Sequence, residues 1–142
     1  MILPDVNVLV RAFREDAPGH DRSCRWLERA LAGEAAFGLS DLVLSGFLRV
    51  TTHPRIFDPS TPLAKALEFA EVLRARPNVV LLSPGRRHWK IFTRLCRDAD
   101  ARGNLIPDAY LAALAIESGS EWITTGGDFV RFPGLRVSSP VD

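Results

Sequence analysis

Two aspartates lie where the sequence changes from one kind of local structure to another, and both are placed to bind a metal ion. Asp5 follows the short apolar opening of the chain, and Asp108 begins an alanine- and leucine-rich segment. A carboxylate at the end of a strand and another in the first turn of a distant helix can converge on one hard cation. Mg²⁺ favours one or two carboxylates, retained waters and substrate phosphate oxygens. The pair therefore predicts a metal-dependent enzyme that acts on phosphodiesters.

Length, charge and cysteine content narrow the class of protein. The 142 residues predict a single domain, 1–142, with one sizeable core. A formal net charge of +1 gives no overall nucleic-acid-binding field, so RNA or DNA contact needs a local basic patch. Cys24 and Cys96 lack metal-ligand spacing and are interpreted as buried thiols. With no secretory signal or membrane-length apolar run in the sequence, we expect a cytoplasmic protein with no membrane contact.

Short apolar strands alternate with longer amphipathic helices, which favours an α/β fold with a mostly parallel sheet. Pro4 counts against a simple central strand, because proline cannot donate a hydrogen bond to a neighbouring strand. The clearest strand is the β-branched apolar run at 79–82. In order, the sequence predicts strands at 2–6, 35–39, 79–82, 121–125 and 135–137, helices at 7–14, 20–31, 41–50, 60–76, 86–103 and 108–118, and a short turn or helix at 128–132.

Three separated segments place polar groups near the carboxyl ends of predicted strands, where parallel sheets bind ligands. Asp5 ends the first strand, and Thr124 and Thr125 end the fourth. A glycine-containing turn then leads to Asp128, while Asp108 heads a helix after a loop. Convergence of these segments predicts one site at that edge of the sheet.

Four segments, taken in order and spacing, resemble a known family. They are 4–10, 46–57, 103–109 and 124–137, and together they extend over nearly the whole chain. The sequence resembles PIN-domain ribonucleases, specifically VapC-type toxins of type II toxin–antitoxin pairs. The resemblance implies a three-layer α/β/α domain and an endoribonuclease that depends on Mg²⁺ or Mn²⁺. It also implies an RNA substrate, a homodimer, and silencing by a small VapB-like antitoxin.

The same resemblance assigns the site residues. The family's metal-binding aspartates fall on Asp5 and Asp108, and Asp128 keeps the second aspartate of a late family motif. Asn7 matches a polar residue that is often found beside the metal. The expected catalytic set is therefore Asp5, Asp108 and Asp128, with the metal on the first two.

Two carboxylates of the family pattern are missing. Gly46 stands where many relatives have a glutamate, and Gly126 replaces the first aspartate of the late motif. Because two metal ions need enough ligands for both, we expect a single Mg²⁺. Asp41, about one turn before Gly46 on the same predicted helix, is a candidate for partial compensation.

Other interpretations of these residues stay open. Asp5 can serve only to bind loop amides, Asp108 only to complement a helix macrodipole, and Asp128 only to form a turn. At the level of function, the alternative is a degenerate PIN domain that binds antitoxin or RNA without efficient cleavage. A flap-type DNA nuclease is a third possible function. The sequence does not specify which RNA is cut.

Arginines and tryptophans give weaker signals. Phosphate contacts supply most nonspecific affinity for nucleic acid, but solvated helix faces produce the same pattern of arginines. The tryptophans fit core or interface packing better than base stacking. The arginines in question are Arg11, Arg14, Arg22, Arg25 and Arg29, and the tryptophans are Trp26, Trp89 and Trp122.

Overall fold

Five parallel strands form the sheet that carries the rest of the fold. A computed structural model describes residues 1–141. The strand order is β3-β2-β1-β4-β5, and all four neighbouring pairs are parallel. The predicted α/β class with a mostly parallel sheet is confirmed. The strands are β1 (Ile2–Pro4), β2 (Phe37–Ser40), β3 (Val79–Leu82), β4 (Glu121–Ile123) and β5 (Val137–Ser138).

Six helices cover the two faces of the sheet. The chain runs outward from β1 to β3 and then returns to β4 and β5 on the other side of β1. Since crossovers between parallel strands are right-handed, this reversal puts the helices before β3 and those after it on opposite faces. The result is the expected three-layer α/β/α arrangement. The helices are α1 (Val6–Phe13), α2 (His20–Ala32), α3 (Asp41–Thr51), α4 (Leu63–Arg74), α5 (His88–Asp98) and α6 (Leu105–Ser118), and Asp128–Arg131 is a 3-10 turn.

Apolar side chains from the sheet and helices form one connected core. Leu3, Phe37 and Trp122 are fully buried on the three central strands. Phe47 of α3 contacts Phe13 of α1, with ring centroids 5.4 Å apart, and so fixes these two helices against each other. The buried alanines and leucines of α6 let its backbone lie close to its neighbours. The reversal of strand order between β1 and β4 is where an open parallel sheet binds ligands.

Several predicted boundaries were wrong by a few residues, with physical reasons. The first strand ends at Pro4 because Asp5 caps α1. Successive residues of a strand direct their N–H groups toward opposite neighbouring strands. Pro4 is tolerated in this central strand because its missing N–H would face β2, and the pairing of β1 with β2 is limited to Ile2. The fourth strand ends at Ile123, and α6 begins at Leu105, so that Asp108 lies within its first turn. The second and last strands are displaced to 37–40 and 137–138, and α5 ends at 98.

The exposure of several side chains adds to the sequence analysis, and the interpretation of the two cysteines as buried thiols was wrong. The clear strand at 79–82 has the predicted bounds but lies at the sheet edge, where Val80 is 41% exposed. Trp89 is 69% exposed, which excludes core packing and leaves the interface packing that was the other interpretation. Cys24 and Cys96 are free, partly exposed thiols. Within residues 1–141, no helix has the length and apolar character needed to cross a bilayer.

Candidate active site

Asp5 is fixed in one orientation at the junction of β1 and α1. Its extended backbone makes it the N-cap of α1, and Oδ1 accepts a 2.7 Å hydrogen bond from the Val6 N–H. Its own N–H donates to the Ile123 carbonyl at 2.8 Å, which continues the pairing of β1 with β4. Only 7% of the residue is exposed, and this burial raises the pKa of the Asp5 carboxyl. The carboxylate is therefore held rigidly in a partly desolvated position.

A polar network from the end of β4 holds the second oxygen of this carboxylate. The buried Thr124 hydroxyl donates to Asp5 Oδ2 at 2.7 Å, and Asn7 Nδ2 donates to the same oxygen at 3.4 Å. Thr124 Oγ1 also accepts from the Gly126 N–H at 3.0 Å, and Asn7 Oδ1 accepts from the Thr125 N–H at 3.3 Å. The network ties the loop after β4 to Asp5.

The position of Thr124 explains its contact with Asp5. Pro4 pairs with Ile123 in the register of β1 and β4, so the next residue of each strand lies side by side. From the sequence alone, a β-branched residue at the end of a strand explained Thr124 as well as a polar role in the site did. Its role as hydrogen-bond donor to Asp5 was therefore missed, although the parallel register of the two strands would have indicated it.

Asp108 reaches the same region from the first turn of α6. Its side chain is half-buried, and its pKa is raised to about 6, first by desolvation and then by the negative charges of Asp5 and Asp128. Two other carboxylates are thus close enough to repel its ionised form. All three predicted site acids come together at the carboxyl edge of the sheet.

These acids line one open cleft, which we call the acidic cleft. Its volume is about 660 Å³, and its walls come from α1, α3, the start of α6 and the loop after β4. Apolar residues such as Val10, Leu42 and Phe57 line much of it. Two basic side chains, Arg11 and Arg49, also line the cleft. The cleft combines carboxylates, which are able to bind a cation, with guanidinium groups, which are able to bind phosphate.

The donor set fits a hard divalent ion bound in part through water. Among residues 1–141, no group of three His, Cys, Asp or Glu side chains forms a ready-made metal cage. Mg²⁺ does not need one, because one or two carboxylates suffice when waters complete the octahedron. Each carboxylate oxygen has two lone pairs, and Oδ1 of Asp5 accepts a single hydrogen bond, so Oδ1 can coordinate an ion while all hydrogen bonds of Asp5 are kept. Asp5 and Asp128 repel the ionised form of Asp108, and a bound cation would relieve this repulsion.

The two missing carboxylates have different surroundings. A Cβ at Gly46 would lie 2.7 Å from Val6 Cγ2, so the side chain of Val6 occupies the space of a longer residue. A Cβ at Gly126 would lie 3.5 Å from Thr124 Oγ1, which is ordinary contact. Asp41 was proposed to compensate, and that was wrong: it is exposed, forms an ion pair with Arg74, and does not line the cleft.

Comparisons with known proteins agree with this geometry. The family model described as PIN domain matches residues 2–135. The chain is 43% identical over 140 residues to Ribonuclease VapC25 of Mycobacterium tuberculosis, covering 99% of each chain. It is 42% identical over 142 residues to the VapC ribonuclease Mb2897 of Mycobacterium bovis, covering 100% of this chain and 97% of the relative.

Solved structures show the same fold at lower identity. The crystal structure of VapBC2 from Rickettsia felis, bound to a DNA fragment from its promoter, gives a TM-score of 0.71. It is 18% identical to this chain, and the match covers 98% of both. The likeness therefore extends from the first strand to the last.

Proposed function

This chain belongs to the PIN-domain family, and on that basis we propose that it is a VapC-type endoribonuclease whose metal ion is held by Asp5 and Asp108. Near relatives over the full length are named ribonucleases. The observation that carries the assignment is that two acids, 103 positions apart along the chain, line one cleft at the switch point of the sheet. Asp128 is proposed as a third, weaker participant from the same cleft.

We propose Mg²⁺ as the resident ion, with Mn²⁺ able to replace it. The oxygen-only donor set and the need for retained waters favour Mg²⁺ over softer ions. When bound, such an ion supplies Lewis-acid stabilisation of charge on the scissile phosphate and lowers the pKa of water.

The chain's own residues have separable roles in this proposal. Asp5 is oriented by Thr124 and the α1 backbone, so a ligand is in place before any ion arrives. Asp108 and Asp128 add negative charge, which is unfavourable until a cation neutralises it. The apolar walls of the cleft reduce the water around these carboxylates and strengthen their attraction for a cation.

Cleavage of RNA by carboxylate variants tests the proposal. Asp5→Asn and Asp108→Asn should each abolish metal-dependent cleavage of total cellular RNA while the circular dichroism spectrum stays native. Asp41→Asn is the matched control, because this exposed carboxylate lies outside the cleft. Full activity in both cleft variants would overturn the assignment, and single-stranded DNA assayed in parallel would expose a preference for DNA.

Glycines at two positions where the family pattern has carboxylates favour a second candidate function. Gly46 and Gly126 leave the cleft with fewer carboxylates than the family pattern, as in a degenerate member that binds RNA or antitoxin without efficient cleavage. Calorimetric titration with Mg²⁺ and Mn²⁺, run beside the cleavage assay, separates the two. RNA binding without metal and without cleavage would select the degenerate member.

The partners are also proposals. We propose a VapB-like antitoxin as the silencing partner, a homodimer as the assembly, a single domain over 1–142 and a cytoplasmic location. Support for the antitoxin comes from the toxin–antitoxin complex whose fold this chain shares. A solution mass measurement would test the dimer. Co-purification with the product of a small adjacent reading frame would test the antitoxin.

A further inference from the structure

Two arginines in the acidic cleft are not used by the fold. Arg11 on α1 and Arg49 on α3 both line the cleft beside its carboxylates. Within the described part of the chain, neither guanidinium forms a hydrogen bond or an ion pair. By contrast, Arg14 binds Asp16, Pro59 and Thr61 and lies over a phenylalanine ring, so it holds the fold together. The cleft arginines thus remain available to an anion from solution.

Arg11 also lines a second depression, which we call the basic groove. This groove has a volume of about 650 Å³ and borders the acidic cleft, sharing Arg11 and Ala17 with it. It runs along the start of α2 to Thr125 and the segment 139–140. Arg22, exposed and with no hydrogen bond or ion pair in the part of the chain described, projects from its wall.

Positive and negative charges nearly balance in the basic groove, so it has no broad positive field. Phosphate binding there depends on where individual guanidinium groups lie. Arg11, Arg22 and Arg25 line it together with Glu15 and Asp21. The excess is one positive charge when histidine is neutral. Such a surface gives little general attraction for polyanions. It can still bind phosphates that are spaced to meet Arg11 and Arg22, since phosphate contacts set register and orientation.

We propose that the basic groove binds the nucleotides on one side of the cut, with Arg11 and Arg22 each contacting a backbone phosphate of single-stranded RNA. This inference rests on the proposed ribonuclease function, because it takes the acidic cleft as the place of cleavage. Arg11 stands where the two depressions meet, so a strand leaving the acidic cleft passes over it. Repulsion between the cleft carboxylates and neighbouring phosphates makes a nearby cation necessary.

The first test is binding without cleavage. Fluorescence anisotropy of a labelled mixed-sequence RNA of about 12 nucleotides is measured in EDTA at several salt concentrations, since each phosphate contact on a single strand contributes a slope of about 0.7. Arg11→Gln and Arg22→Gln should each weaken binding and lower the slope by about that amount. Arg94→Gln is the matched control, because Arg94 lies on another basic face, on α5. Equal loss in Arg94→Gln would mean that RNA adheres to any cationic surface and would overturn the proposal.

The second test uses RNA length. Oligonucleotides are shortened one nucleotide at a time from either end of a mapped cut site, and each is bound to wild type and to Arg22→Gln. Sensitivity to Arg22→Gln should disappear after shortening from one end only, which also gives the direction of the strand. Sensitivity that persists for the shortest RNA, or is absent for the longest, would overturn the proposal.

The design separates this inference from the ribonuclease proposal and from a protein partner. Cleavage that persists while Arg11→Gln and Arg22→Gln bind RNA like wild type would refute the groove alone. RNA binding that depends on Arg11 and Arg22, with no cleavage of any RNA, would refute the ribonuclease proposal and leave a groove that binds RNA without a cut. Poly-L-glutamate is the competing probe: binding of that polymer, but not of RNA, in an Arg22-dependent way would identify an acidic polypeptide site and overturn the proposal.

Discussion

Replacing Asp108 with asparagine should stabilise the metal-free protein at neutral pH, even though it removes a proposed metal ligand. In the folded chain the pKa of Asp108 lies at about 6, above its ordinary value of 3.8. Burial is the larger cause, and the charges of Asp5 and Asp128 add to it. An ionised carboxylate in this position opposes folding, whereas an amide of nearly the same shape does not.

The size and pH dependence of this effect follow from linkage. A pKa moved from 3.8 to about 6 corresponds to about 3 kcal/mol at full strength. Because the side chain is only half-buried, solvent screening reduces the expected gain to about 1 to 1.5 kcal/mol. Since the folded pKa is raised, the destabilisation is complete above pH 6. It declines as the pH falls from about 6 to 3.8 and is absent below that range.

This prediction is tested by measuring Tm in thermal unfolding experiments in EDTA. At about pH 7.5, Asp108→Asn should raise Tm by about 3 to 5 °C, as expected for about 1 to 1.5 kcal/mol in a chain of this size. The difference should shrink at about pH 5 and vanish near pH 4. Glu68→Gln is the control, an exposed carboxylate of α4 that should leave Tm nearly unchanged. A lower Tm for Asp108→Asn, or a difference that does not depend on pH, would refute the electrostatic reasoning.

Three further predictions concern the surroundings of the site. Thr124→Val removes the 2.7 Å donor to Asp5 and should weaken Mg²⁺ binding about 10-fold by calorimetry, as loss of a residue that orients a ligand does. Unchanged affinity would show that Thr124 is not needed. Gly46→Glu should destabilise the protein by about 1 to 3 kcal/mol in chemical denaturation, because its Cβ meets Val6. Val6→Ala should recover much of that loss in the double variant, whereas additive losses would contradict the packing argument. Saturating Mg²⁺ at about 100 times its Kd should stabilise wild type by about 2.7 kcal/mol and Asp108→Asn by much less.

The sequence was sufficient to predict the sheet and the meeting of the two distant acids. Alternating strands and helices predicted a parallel sheet, and such sheets gather the residues that follow their strands at one edge. That rule applies to Asp5 and to the residues after the fourth strand, whereas Asp108, at the start of a helix, was assigned to the site mainly by the family resemblance. The missing step was the strand order, which places β4 directly beside β1 and so brings Thr124 against Asp5.

Errors arose where a local pattern has two physical explanations. The run 79–82 was correctly predicted as a strand, but its apolar sequence did not indicate that it lies at the sheet edge with its middle residues partly exposed. Core and interface packing were both open for Trp89, and its exposure on α5 excludes the core. Pro4 argued against a central strand, but its missing N–H would face β2, and the pairing of β1 with β2 is limited to Ile2. Side-chain packing decides each case, and packing is not visible in sequence.

The loss of two carboxylates is consistent with the packing and charge of the cleft. The space of a longer side chain at Gly46 is occupied by Val6, so this position now serves the contact between α1 and α3. Burial, together with the charges of Asp5 and Asp128, already raises the pKa of Asp108 to about 6, and each added carboxylate would increase that repulsion in the absence of metal. A cleft with fewer acids carries less repulsion when no metal is bound. On the proposal that Asp5 and Asp108 hold the metal, this favours one ion over two, because two ions need enough ligands for both.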